Sequence, residues 1–227
     1  MNVTQSQQGR EIASILSQED FIAARKKAAS TLAQLSRSFY RRGWLPATSG
    51  NFSIKLNDSP LIFAITATRR DKSNLSPRDV LLVNGDAQPV EATDLRPSDE
   101  AIVHSRIYQA TGCGAVLHVH SVYSVIVSEM FSQQGAVEMK GLEILKALGL
   151  WNEEDLCVLP IVENLYALPD LAALLVNSIR EGCPAALIKR HGVYVWGRDA
   201  AEAKKHLETF EYLFQYLVLR SRVGLVE

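Results

Sequence analysis

A chain that reads Ala115-Val-Leu-His-Val-His120 directly after Gly112-Cys-Gly114 has few ways to fold. The run is short, apolar and bounded by glycine, which makes it a strand, and alternate side chains of a strand share a face. His118 and His120 therefore point one way and Val119 the other. Each imidazole carries polar nitrogens that a core must satisfy, so two side by side fill an apolar layer poorly. The same pair suits a metal ion, which needs convergent neutral nitrogens.

The rest of the chain supplies layers for such a strand. Phe21, Ala24, Ala28, Leu32, Leu35 and Phe39 recur at helical spacing, and Arg41-Arg42-Gly43 closes that helix. Alternating or apolar runs at 52–56, 61–66 and 80–83 read as strands, separated by Asn57-Asp-Ser-Pro60 and stopped by Asn84-Gly-Asp86. Pro97-Ser98-Asp99-Glu100 opens a second helix with Ser98 as its N-cap. A helix follows the histidines from about Val122, and Pro169-Asp170 starts another. Strands at 185–188 and 193–196 flank Arg190-His191-Gly192. Ala203, Leu207, Phe210, Phe214 and Leu217 form one face of a last helix from Asp199. Few strand–helix–strand units can be drawn, so the expected fold is an α/β sandwich with a mixed or antiparallel central sheet flanked by helices.

At 227 residues the chain fits one domain with a core that needs no disulfide staples. Its three cysteines, Cys113, Cys157 and Cys183, are odd in number and far apart, which points to a reducing compartment. A net charge of −1 gives no electrostatic reason to expect nucleic acid or an anionic membrane as partner. The N-terminus lacks the basic and apolar regions of a signal peptide, and no apolar run is long enough to span a bilayer. The expectation is a cytoplasmic protein whose polar residues 1–17 form a frayed, flexible end or a short first helix.

Three further histidines compete for a place beside the pair. His206 lies among Lys204, Lys205 and Glu208 and reads as a solvated helix residue. His104 follows Glu100 by four, an ordinary helical pair. His191 stands at a break between two apolar strands, next to a glycine that lets the backbone turn tightly, and is the expected third ligand. A catalytic zinc takes three protein ligands and keeps one open position. Two glutamates sit in contrasting local settings. Glu100 near a helix N-terminus is favoured in its ionised form. Glu143 has Leu142 before it and Ile144-Leu145 after it; an apolar enclosure there would raise its pKa, whereas an exposed helix position would pair it with Lys140 or Lys146.

In this order, Pro97-Ser98-Asp99-Glu100, His118-Val119-His120 and His191-Gly192 resemble the class II aldolase/adducin family, over a span from about Phe21 to Gly224. Lys189-Arg-His-Gly-Val-Tyr-Val-Trp-Gly197, with Leu142-Glu-Ile-Leu-Lys146, is similar to a dehydratase branch of it. The resemblance implies a class II aldolase-like three-layer sandwich and one zinc per subunit held by His118, His120 and His191. It implies a sugar-phosphate substrate, with the phosphate held by Thr48, Ser49, Gly50 and Asn51, by Thr68 and Arg69, and by Ser98. Arg69 stands where the family has glycine, and Asp99 replaces a serine and is expected to point away. Glu100 matches a glutamate that family aldolases use for proton transfer, and Glu143 the catalytic one of related dehydratases. A homotetramer with sites at subunit interfaces is also implied. An aldolase cleaving a fuculose- or ribulose-type sugar phosphate and an adducin-like interaction module are the alternatives.

Overall fold

The computed structural model describes residues 18–224, so the expectation for 1–17 lies outside it. The elements are α1 (Gln18–Arg41), β1 (Asn51–Asp58), β2 (Leu61–Thr66), β3 (Val80–Asn84), α2 (Ala101–Thr111), β4 (Ala115–Val119) and α3 (Val122–Met130). They continue with β5 (Ala136–Met139), β6 (Cys157–Val162), α4 (Leu168–Ser178), β7 (Ala185–Ile188), β8 (Gly192–Gly197) and α5 (Ala200–Arg222). The eight strands form one sheet in the order β3-β2-β1-β4-β8-β7-β6-β5. Every pairing is antiparallel except β6 with β7, and those two are joined by the crossover helix α4.

Side-chain alternation splits the strands between two cores. Ala115, Leu117 and Val119 of β4, with Val193 and Val195 of β8, join the core under α1, α3 and α5. Val116, Tyr194 and Trp196 join the core under α2 and α4 on the opposite face. Strands buried on both faces read as continuous apolar runs, as β4 and β8 do. The result is a three-layer α/β/α sandwich with a mixed sheet. Among the described residues no helix is long and apolar enough to cross a membrane.

The helix expected to begin at Ser98 begins at Ala101, and Glu100 takes the N-cap position. Ser98 Oγ instead accepts the Glu100 N–H at 3.3 Å, one bend earlier. The break at 189–191 is a tight hairpin turn, with Ile188 paired to Gly192 and the left-handed residue at Arg190 (φ 56°) rather than at Gly192. Antiparallel pairing places Asn51 at the start of β1 opposite His118 near the end of β4, and His118 opposite Tyr194 near the start of β8. The ends of three central strands thus meet at one end of the sheet, where α2 begins.

Candidate metal centre

His118, His120, His191 and Glu100 converge at these strand ends, each offering a ligand atom within 4.8 Å of all the others. His120 Nε2 lies 2.8 Å from His118 Nε2 and 3.2 Å from His191 Nε2. The Glu100 carboxylate stands 3.6 Å from His118 Nε2 and 3.5 Å from His191 Nε2. A tetrahedral ion bound at ordinary zinc–nitrogen lengths separates its ligands by about 3.3 Å. The cluster is already close to that size.

Hydrogen bonds behind the rings set which nitrogen faces inward. His118 Nδ1–H donates to the Val193 carbonyl at 3.0 Å, and His191 Nδ1–H donates to Asn164 Oδ1 at 3.2 Å. Both Nε2 atoms therefore present lone pairs, a tautomer assignment that follows from these partners. A single proton on His120 Nε2 satisfies only one of them, so at least one close nitrogen pair has no proton between its members. A cation at the centre removes that repulsion. Burial, then the neighbouring His191, holds His118 well below the usual imidazole range. Burial, then His118 and His191, push His120 down to about 2. Metal ligation needs neutral imidazoles, the form that burial favours in both. The donor set fits a divalent transition metal.

Glu100 is held from behind by a buried chain of polar groups. Tyr108 O–H donates to Ser53 Oγ (2.6 Å), whose hydroxyl donates to His104 Nδ1 (2.7 Å). His104 Nε2–H donates to Asn51 Oδ1 (2.5 Å), and Asn51 Nδ2 donates to Glu100 Oε2 (2.6 Å). His104 is fully buried and pushed down to about 3 by that burial, so it stays neutral within the chain of donors. This corrects the reading of His104 as an ordinary helical pair: its ring turns from the helix toward β1. His206 is also corrected, since it is buried and its Nδ1–H donates to the Trp196 carbonyl at 2.8 Å.

Thr48, Ser49, Gly50, Asn51, Thr68, Arg69 and Ser98 all line one cleft, together with Glu100, His120 and His191. Asp99, expected to point away, lines it too. Asn51 has both ends of its side chain committed to Glu100 and His104, while the Ser49 hydroxyl is buried without a partner. Arg69 keeps a left-handed backbone (φ 56°), the conformation natural to the glycine it replaces. Lys72 also lines the cleft; the sequence reading missed it because a lysine after Arg69-Arg70-Asp71 looks like a solvated charge run. Glu143 is not brought to this cluster within one chain. Its side chain is 84% exposed, its Oε1 accepts Lys146 Nζ at 2.8 Å, and it borders a separate cleft, so of the two settings the exposed one paired with Lys146 is the one found in a single chain.

A metal-ready histidine triad on an α/β/α sandwich, beside small-residue loops, defines a class. Residues 30–218 match the class II aldolase and adducin N-terminal domain, and the chain belongs to that family. Within it, a Persephonella marina protein named methylthioribulose-1-phosphate dehydratase is 45% identical over 193 residues, 85% of this chain and 90% of the relative. A Bacillus subtilis protein of the same name is 43% identical over 196 residues, covering 86% and 94%. The solved structure of L-fuculose-1-phosphate aldolase from Thermus thermophilus aligns with a TM-score of 0.65 at 25% identity, covering 89% of this chain and 97% of that one.

Proposed function

We propose that the protein is a zinc-dependent hydro-lyase that removes water from 5-methylthioribulose 1-phosphate. The product is 2,3-diketo-5-methylthiopentyl 1-phosphate, a step of methionine salvage in the cytoplasm. The observation that carries this reading is the convergence of three imidazole Nε2 atoms and one carboxylate beside a cleft walled by the expected phosphate loops. The dehydratase relatives choose among the chemistries such a site allows.

When bound, the zinc supplies a Lewis acid beside the C2 carbonyl of the ketose. His118, His120 and His191 would hold it through their Nε2 atoms. The C3 proton must leave and the departing C4 hydroxyl must gain one, so the net loss is water and no carbon–carbon bond breaks. Glu143 is assigned this acid/base work, with Glu100 in support. Because Glu143 lies outside the cleft of a single chain, its role rests on the working assembly, which we take to be a homotetramer with sites at subunit interfaces. Glu143→Gln is expected to lower kcat by about 10²–10⁴-fold while zinc stays stoichiometric. Near-parental turnover by that variant would remove Glu143 from the role.

One observation favours a second reading. Glu100, not Glu143, stands against the triad, as an aldolase using Glu100 for proton transfer requires. Products separate the two: an aldolase releases a two- or three-carbon phosphate fragment, a dehydratase only water.

A further inference from the structure

Lys72 is the one lysine among the fully buried side chains of the described residues, at 1% exposure. Its Nζ donates to the Thr48 carbonyl at 3.1 Å and to the Arg70 carbonyl at 3.3 Å. Neither carbonyl carries a charge. No described carboxylate lies within ion-pair distance of Nζ. The two acids nearest in its field are engaged elsewhere. Asp71 accepts the Ser73 N–H at 2.8 Å, and Asp79 accepts the N–H and the hydroxyl of Ser76 at 3.0 and 2.8 Å. An ammonium buried without a counter-ion is costly, and folded proteins avoid the arrangement unless a partner arrives.

The surroundings say what the partner is. Lys72 borders the cleft that holds His120 and His191, and one of its three N–H groups remains after the two carbonyls are served. In the same wall Ser49 Oγ is buried and unpartnered, one residue from the carbonyl that Lys72 grips. Arg69 adds a second cation on this side and holds a left-handed backbone, while Asp99 and Glu100 are the acids of the cleft. A buried ammonium and an orphan hydroxyl facing one space together suit an anion with several acceptor oxygens.

We propose that Lys72 Nζ is the buried counter-charge of the substrate's phosphate group, with Ser49 Oγ donating to the same group. The inference rests on the sugar-phosphate reading above and adds to it the residue that carries the charge. Thr48, Ser49 and Gly50 shape the subsite; Lys72 supplies its net positive charge. The competing role is that of a strut tying the 48–51 loop to the 69–72 loop through the two carbonyls.

Inorganic phosphate is the probe, titrated by calorimetry into zinc-loaded full-length protein, parent against Lys72→Gln and Lys72→Met. Gln keeps an N–H donor for the carbonyls and drops the charge; Met drops both. Counter-charge to phosphate requires both variants to lose phosphate affinity by about tenfold or more at equal zinc content. It also requires KM for the phosphorylated substrate to rise more than kcat falls. Phosphate affinity of Lys72→Gln equal to the parent's overturns the proposal and leaves the strut. So does a parent that does not bind millimolar phosphate. If both variants fail to fold, the Nζ resonance of Lys72 in ¹⁵N-lysine-labelled parent protein decides: a shift on adding phosphate supports the assignment, and an unmoved signal overturns it. Phosphate binding needs no turnover, so a protein that binds phosphate through Lys72 but dehydrates nothing would refute the proposed reaction and leave this inference standing.

Discussion

Gly192 follows His191, a member of the proposed metal cluster, and the reason it must be glycine is steric. Its φ is ordinary, but a Cβ there would press on the Val119 carbonyl oxygen, inside the 3.0 Å that real Cβ atoms essentially never cross. It would also lie 3.1 Å from the Val119 carbonyl carbon and 3.3 Å from His118 Cε1. None of these atoms can rotate aside, because Val119 and Val193 are paired in the β4–β8 ladder and the His118 ring is stacked on Tyr194 at 4.0 Å. Gly192→Ala must therefore part the two strand ends by on the order of 1 Å. Metal–ligand lengths tolerate only about 0.2 Å. The expected result is a loss of about 1–3 kcal/mol in stability and of about 10–100-fold or more in metal affinity. Chelator competition and thermal unfolding with and without zinc measure both. Gly114→Ala is the control, since its Cβ would press on the Arg198 carbonyl, away from the metal ligands. It should destabilise the protein while leaving zinc affinity intact. Parental zinc affinity in Gly192→Ala, or equal zinc loss in both variants, would refute the steric argument.

Other consequences are open to direct measurement. His104→Phe leaves the Ser53 hydroxyl and Asn51 Oδ1 without their partner and should cost about 1–3 kcal/mol, read as a drop in Tm. His104 also makes the metal-free protein acid-sensitive. Unfolded histidine takes up its proton near pH 6.5, whereas the buried ring resists until about 3. Stability is therefore full above pH 6.5 and falls as pH drops from there toward 3, with a slope of up to about 1.4 kcal/mol per unit for this proton. Urea unfolding of His104→Phe across that range should show a flatter slope, and a slope equal to the parent's would contradict the assignment. Glu143→Gln should leave Tm within about 0.5 kcal/mol-equivalent of the parent, since its ion pair with Lys146 is exposed. His118→Ala or His191→Ala should no longer hold stoichiometric zinc, measured by elemental analysis.

Much of this architecture is legible from periodicity. The Ala115–His120 run has both cores and the ligand face written into it, and the long stripes of α1 and α5 need no tertiary context. Strand β5 escapes because Glu138 interrupts the short Ala136–Met139, whereas the equally short β7 is wholly apolar, and β6 escapes because Pro160 interrupts the donor pattern of Cys157–Val162. The three candidate ligands are readable because imidazoles are conspicuous on apolar strands. The supporting groups are not. His104 satisfies a local rule with Glu100 that its ring ignores, and Lys72 looks like one more surface charge until the fold buries it. His-Gly at a strand break signals a special site, but the close approach of Val119 that demands the glycine exists only once β4 and β8 are paired. Glu143 carries a local apolar context that the fold of one chain does not turn into burial.

The central claim is that a zinc site built from His118, His120 and His191 removes water from a phosphorylated ketose. The decisive measurement is incubation of the purified protein with 5-methylthioribulose 1-phosphate, following the diketone and any phosphorylated fragments, with and without chelator. The expected result is diketone formation with all carbons retained, abolished by chelation and restored by zinc. Release of a two- or three-carbon phosphate, or diketone formation that survives complete removal of metal, would contradict it.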